Sequence, residues 1–221
     1  MTRNPMLRAL WFLGIALWAT NAAAHEHSEV RIFVIRSQLA QAGAEPILFV
    51  GDSITESALL PSSVCGHPVV NAGVGGMTAS SYLPIAKSLL PSAAAAVAVI
   101  ALGTNDSSEM PSQGRPTIEP GYTQLLDFVR QHAAKVIVAG IPPFDMAGEL
   151  AQGYFDPALG DLNDAAIRKI AAANNLAFVD LRNDLRGENL TTDGIHLNAA
   201  GYRLWNKAVI QGIETKIRCS K

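Results

Sequence analysis

The chain has 221 residues, 49% of them hydrophobic, and carries 17 Lys+Arg against 19 Asp+Glu. That length suits one compact domain with a sizeable core and is too short for two ordinary ones. A slightly acidic balance without a basic tract excludes a polyanion such as nucleic acid as partner, and without a CxxC, HExxH or clustered His/Asp set a catalytic metal has no support.

Residues 1–24 combine Arg3 and Arg8, an apolar run from Ala9 to Ala19, and the small residues Ala22-Ala23-Ala24. This is the layout of a secretory signal peptide cut after Ala24, because the apolar run is well short of the roughly 20 residues a membrane span needs. Cleavage removes two basic and no acidic residues, so the net charge of −2 becomes more negative by two. It leaves one domain over 25–221, expected in the periplasm or outside the cell with no stable membrane insertion. The new terminus, His25-Glu26-His27, could present four nitrogens to Cu(II). A solvated tail left by the protease is the simpler reading.

From Ser28 to Ala42 the apolar positions Val30, Phe33, Val34 and Leu39 suit an amphipathic helix, stopped by Glu45-Pro46. Ile47 to Val50 then run without polar alternation into Gly51-Asp52-Ser53, the pattern of a fully buried strand ending in a turn. A serine at the carboxyl end of a central parallel strand lies in the crevice where open α/β sheets place their chemistry. Ser53 is therefore a nucleophile candidate, although serine in such a turn also caps helices. After a short helix, Pro61 and a polar stretch from Ser62 to His67, Pro68 opens a second strand through Val69-Val70.

That strand ends in Asn71-Ala72-Gly73-Val74-Gly75-Gly76-Met77-Thr78, whose glycines let backbone N–H groups approach a ligand. GxGxxG would need glycine at Thr78, and no P-loop lysine follows, so an oxyanion site fits better than a phosphate loop. A tight strand-to-helix turn is the structural alternative. A helix from Ser81 to Leu90 follows, with Pro84 in its first turn. The next segment, Ala94 to Leu102, has an ambiguous Ala-rich start but ends as a buried strand followed by Gly103-Thr104-Asn105-Asp106. Asn105 could present its amide to the crevice of Ser53, or serve only as a turn former.

Ser107 to Pro120 reads as a loop bordering the crevice, and Tyr122, Leu125, Leu126 and Val129 mark one helix face. Val136 to Ile141 is the fourth strand, closed by Pro142-Pro143. An irregular stretch to Asp161 carries Phe144, Tyr154 and Phe155, which suit satellite packing better than a substrate pocket. A helix through Leu162, Ile167 and Ile170 leads to the strand Ala177 to Val179. Finally, Asp193-Gly194-Ile195-His196 precedes a helix bearing Tyr202, Trp205, Val209 and Ile213. An aspartate three residues before a histidine can accept its Nδ1 hydrogen and leave Nε2 free to take a serine proton.

Five βα units imply a single-domain, three-layer α/β/α sandwich, and right-handed crossovers put every strand end named above on one sheet edge. The four blocks GDSIT (51–55), NAGVGG (71–76), GTND (103–106) and DGIH (193–196) resemble those of the SGNH hydrolases, the GDSL-type esterase family. The resemblance implies a flavodoxin-like five-stranded parallel sheet of order 2-1-3-4-5. It makes Ser53 the nucleophile, His196 the base and Asp193 its partner, with Gly76, Asn105 and Ser53 forming the oxyanion hole. Ile54-Thr55 replaces the leucine of the family's namesake block. Thr55 also stands where the GxSxG elbow of α/β-hydrolases needs glycine, which argues against that larger fold.

The expected activity is hydrolysis of carboxylic esters through an acyl-enzyme on Ser53, without metal or organic cofactor. With no obvious apolar lid, short acyl or O-acetyl groups, in particular on polysaccharide, are the expected substrates. Lysophospholipase, thioesterase or acyltransferase chemistry is the alternative within the resemblance, and a catalytically silent carbohydrate-binding protein the alternative outside it. Cys65 precedes the second strand and Cys219 ends a final helix running away from the catalytic edge. Both thiols thus fall on the opposite edge, where an oxidising compartment would join them in a disulfide.

Overall fold

The computed structural model describes residues 26–90, 94–108, 117–217 and 219. The expected signal segment (1–24), the His25 terminus and residues 109–116 of the expected loop lie outside these. Helix α1 (26–42) opens the described chain. Six strands follow, β1 (Ile47–Gly51), β2 (Ser63–Val64), β3 (His67–Gly73), β4 (Val97–Ala101), β5 (Val136–Ala139) and β6 (Ala177–Val179), in the order β2-β3-β1-β4-β5-β6. The helices are α2 (Ser53–Glu56), α3 (Ala79–Leu89), α4 (Glu119–Arg130), α5 (Glu149–Tyr154), α6 (Pro157–Ala173), α7 (Leu181–Asp184) and α8 (Ala199–Glu214).

The five parallel strands keep the expected 2-1-3-4-5 order, with β1 paired in register to β3 on one side and β4 on the other. The sixth, β2, adds antiparallel to β3 through a turn at Cys65-Gly66, both with positive φ. A two-residue strand in a polar stretch has no periodicity to betray it, which is why five strands rather than six are legible in the sequence.

Alternate strand residues enter two cores. Leu48, Val50, Ala98, Ile100 and Val138 pack with Tyr82, Tyr122, Leu125 and Ile167, from α3, α4 and α6. Ile47, Phe49, Val97, Val99 and Ile137 face Trp205, Val209 and Ile213 of α8. With helices on both faces, β1 cannot carry a polar residue, hence its unbroken apolar run. The four α4 positions singled out by spacing are all fully buried.

Three local expectations need correction. Helix α3 starts two residues earlier than read, because Thr78 and Ser81 form a capping box, and Pro84 therefore lies in its interior rather than its first turn. The stretch read as irregular to Asp161 holds α5 and the start of α6, whose Asp156 cap accepts from the N–H groups of Ala158 and Leu159 ahead of Pro157 at the first helical position. His27 lies in α1 and reaches Glu56 through Nε2 at 3.1 Å, so at least this part of the expected tail is structured. The aromatic stretch behaves as expected: Phe155 is buried with Ala151 and Ile195, edge-on to Phe144, while Tyr154 points to solvent.

Cys65 and Cys219 are joined in a disulfide with Cα atoms 4.4 Å apart, across a sequence separation of 154. The bond ties the β2–β3 turn to the chain beyond α8, at the amino-terminal edge of the sheet. Replacing both cysteines with alanine is expected to lower stability by about 2 to 5 kcal/mol, by restoring loop entropy to the unfolded chain. The check is a urea unfolding curve, and an unchanged midpoint would show that the bond contributes nothing.

Candidate active site

Strand β1 ends at Gly51, and Asp52 caps the short helix α2 by accepting from the Ile54 N–H at 3.0 Å. Ser53 is thereby the first residue of α2, where a backbone N–H has no partner within the helix. The hydroxyl of α8 residue Tyr202 donates to the Ile54 carbonyl at 2.8 Å, which pins α2 to α8, with whose Trp205 and Val209 Ile54 shares a core. Ser53 Oγ lies 2.9 Å from His196 Nε2.

His196 and Asp193 belong to the loop between α7 and α8. His196 Nδ1 is 2.7 Å from Asp193 Oδ2, and the other oxygen, Oδ1, accepts from the N–H groups of Ile195 and His196 at 3.0 and 2.8 Å. The carboxylate is thus held by its own turn before it orients the ring. Gly194 sits within that turn at φ +95, and a Cβ there would fall 2.4 Å from the Asp145 carbonyl oxygen, so only glycine fits. The Asp193 carbonyl in turn accepts from the N–H groups of Leu150 and Ala151 in α5. Sequence reading missed this use of α5, since a six-residue helix interrupted by Gly153 shows almost no periodicity.

The glycine turn after β3 lies against Ser53: a Cβ built on Gly75 would be 3.7 Å from that of the serine. Gly76 follows at φ +75, which reverses the peptide direction between consecutive amides. Asn105 donates one Nδ2 hydrogen to the Met77 carbonyl at 3.1 Å. Its second Nδ2 hydrogen remains for another acceptor. Asp106, the next residue, accepts from Ala79 N–H at the start of α3 with both carboxylate oxygens. All the residues singled out in the four sequence blocks therefore meet on the carboxyl edge of the sheet. A separate groove of about 410 Å³, bounded by Phe144, Asp145, Leu185, Leu190, Thr191 and Leu197, flanks the Asp193 turn without reaching Ser53.

Electrostatics separate the three carboxyls. Burial pushes Asp52 up to about 6 against the opposing Ile54 N–H and the Thr104 side chain, and burial likewise pushes Asp106 up to about 6 against the Ala79 N–H. Burial also acts upward on Asp193, but the His196 ring and two backbone N–H groups outweigh it and hold the carboxyl below its ordinary value. Asp193 is thus an anion at neutral pH, as a partner for an imidazolium must be. Among the described residues no group of three or more His, Cys, Asp or Glu side chains is placed to hold a metal ion.

A raised carboxyl binds its proton more tightly folded than unfolded, so Asp52 stabilises the fold at low pH and loses that contribution as pH rises from its ordinary 3.8 to about 6. The D52N variant keeps an oxygen acceptor for Ile54 but does not ionise. Its melting temperature relative to wild type is expected to rise across that interval and level off above pH 6, as thermal unfolding at several pH values would read. A difference independent of pH would show that the Asp52 carboxyl is not raised.

Residues 49–204 match the model of the GDSL-like lipase/acylhydrolase family. The isoamyl acetate-hydrolyzing esterase of Saccharomyces cerevisiae is 26% identical over 207 residues, covering 77% of this chain and 87% of the yeast protein. Among solved structures, the lipase/acylhydrolase of Enterococcus faecalis superimposes with a TM-score of 0.66 at 21% identity, covering 80% of this chain and 99% of that one. The carbohydrate acetylesterase Est24 of Sinorhizobium meliloti gives 0.63 at 21% identity, with 78% and 100% covered. Since the family model spans most of the chain and all four sequence blocks fall within it, the protein belongs to the GDSL-like lipase/acylhydrolase family of ester hydrolases.

Proposed function

We propose that the protein cleaves small carboxylic esters through an acyl-enzyme on Ser53. The observation that carries this reading is the continuous hydrogen-bonded chain Ser53–His196–Asp193, at 2.9 and 2.7 Å. In this mechanism His196 Nε2 takes the Ser53 hydroxyl proton as Oγ adds to the ester carbonyl, and Asp193 stabilises the resulting imidazolium. The N–H groups of Ser53 and Gly76 and the free Nδ2 hydrogen of Asn105 receive the oxyanion. Collapse of the tetrahedral adduct breaks the bond to the alcohol, which leaves with the proton from His196. Water, deprotonated by the same ring, then releases the acid.

Acetyl and other short acyl groups are the substrates we favour, including O-acetyl groups on polysaccharide. Support comes from the names of two of the relatives, one an acetate-ester hydrolase and the other a carbohydrate acetylesterase. The signal-like sequence of residues 1–24 supports action in the periplasm or outside the cell.

Mature protein assayed on p-nitrophenyl esters of graded chain length and on acetylated glycans should prefer the shortest acyl groups. Ser53→Ala should reduce turnover to what the oxyanion donors alone supply, and His196→Ala should be nearly as severe. Asn105→Ala leaves nucleophile and base intact, so its signature is a fall in kcat of about 10² to 10³ with KM little changed. The double variant Ser53→Ala/His196→Ala should be little worse than Ser53→Ala, because the two groups act in one proton transfer. A Ser53→Ala protein with most of the wild-type rate would rule out the serine mechanism.

A further inference from the structure

The oxyanion turn is held from outside the family domain. Helix α1 precedes residue 49, where the family match begins, yet its Arg31 reaches across to the end of β3. Arg31 Nε and Nη2 donate to the Gly73 carbonyl at 3.0 and 2.8 Å, and Nη2 donates also to the Asn71 carbonyl at 3.2 Å. The same guanidinium pairs with Glu56, its Nε 3.4 Å from Oε1, and both side chains are mostly buried. Glu56 closes the arrangement on the other side: its Oε2 accepts from the Gly75 N–H at 2.6 Å and meets His27 Nε2 at 3.1 Å.

Three consequences follow from this arrangement. The Gly75 N–H is directed at Glu56, so the next amide, that of Gly76, is the one left to face the crevice across the positive-φ turn. Glu56 is the last residue of the helix that starts with Ser53, so one rigid turn of chain fixes both the serine and the acceptor for Gly75. The fork of Arg31 fits two carbonyls at once, which a lysine point charge does not.

We infer that Arg31 and Glu56 are positioning residues that set the Gly75–Gly76 amides relative to Ser53, so that α1 is a working part of the active site. The inference rests on the serine reading above. It assigns neither residue a contact with substrate: both act through the backbone of the turn.

If the turn is held this way, Glu56→Ala lets the Gly76 N–H drift from the developing oxyanion. A fall in kcat of about 10- to 100-fold is expected, with KM changed little. Glu56→Gln keeps an oxygen for the Gly75 N–H and should recover most of that loss, whereas Arg31→Lys should not recover the loss seen in Arg31→Ala. A phenylboronic acid, which forms a tetrahedral adduct with a reactive serine, reads the oxyanion site directly. Its inhibition constant should rise in Glu56→Ala by about the factor by which kcat falls, while thermal unfolding shows each variant folded. An unchanged kcat, a loss confined to KM, an unaltered boronate affinity or a glutamine no better than alanine would each overturn the assignment. Ser53→Ala assayed alongside separates the two readings: if it is inactive while Glu56→Ala is normal, only the positioning role falls, and if it is active, both fall.

Discussion

A parallel strand with helices over both faces leaves no place for a polar side chain until it ends. Strand β1 lies between β3 and β4 with all five residues buried, so the first polar positions of this unit are Asp52 and Ser53, at the point where the strand must give way to a turn. Strand β4, buried except at its last residue, releases Asn105 in the same way, and the partly buried β3, which carries Asn71, ends in the glycine turn beside it. The crevice is therefore the common edge at which these parallel strands stop, and its geometry derives from sheet register: Gly51 is level with Gly73 on one side and Ala101 on the other.

Short loops and short helices then carry most of the positioning. Asn71, within β3, supports one of them: its Nδ2 donates to the Thr55 carbonyl at 2.7 Å while its Oδ1 accepts from the Gly73 N–H at 3.0 Å, which sews the strand to the helix bearing the serine. Asp106 links the loop of Asn105 to the first turn of α3, and α5 holds the Asp193 carbonyl. These are polar groups with little access to water, and each stabilises a particular loop conformation because leaving its partner unsatisfied would be costly. The two raised carboxyls, Asp52 and Asp106, show the penalty that such buried anions carry.

The sheet and the four blocks were legible because each rests on a short-range signal, either an unbroken apolar run or a glycine- and Asx-rich turn directly after it. The Asp193–His196 relation was legible for the same reason, since three residues of chain suffice to close it. What escaped is long-range or weakly periodic. Nothing local marks Arg31 as a partner of Gly73, because the pair is brought together only when α1 packs on the sheet. Strand β2 is too short for a pattern, and α5 hides between proline and glycine residues. The start of α6 could have been read from Asp156-Pro157, a cap followed by proline at the first helical position.

The disulfide has a topological meaning beyond its closure of a long loop. It makes the chain from Cys65 to Cys219 a covalent ring, and that ring contains Gly76, Asn105, Asp193 and His196 but not Ser53. Helix α1 and β1 form a separate linear arm threaded into the middle of the sheet. A single peptide cut anywhere inside the ring leaves one covalently continuous molecule, with Gly76, Asn105, Asp193 and His196 still joined. A cut between Glu56 and Cys65 instead divides the protein into two polypeptides, with Ser53, Arg31 and Glu56 on one and the remaining site residues on the other. The pairing of β1 with β3 and β4, the cores on its two faces and the hydrogen bonds of Arg31, Glu56 and Tyr202 across the cut would then keep the halves of the site together without a covalent link, the natural seam for reconstituting this enzyme from complementary fragments.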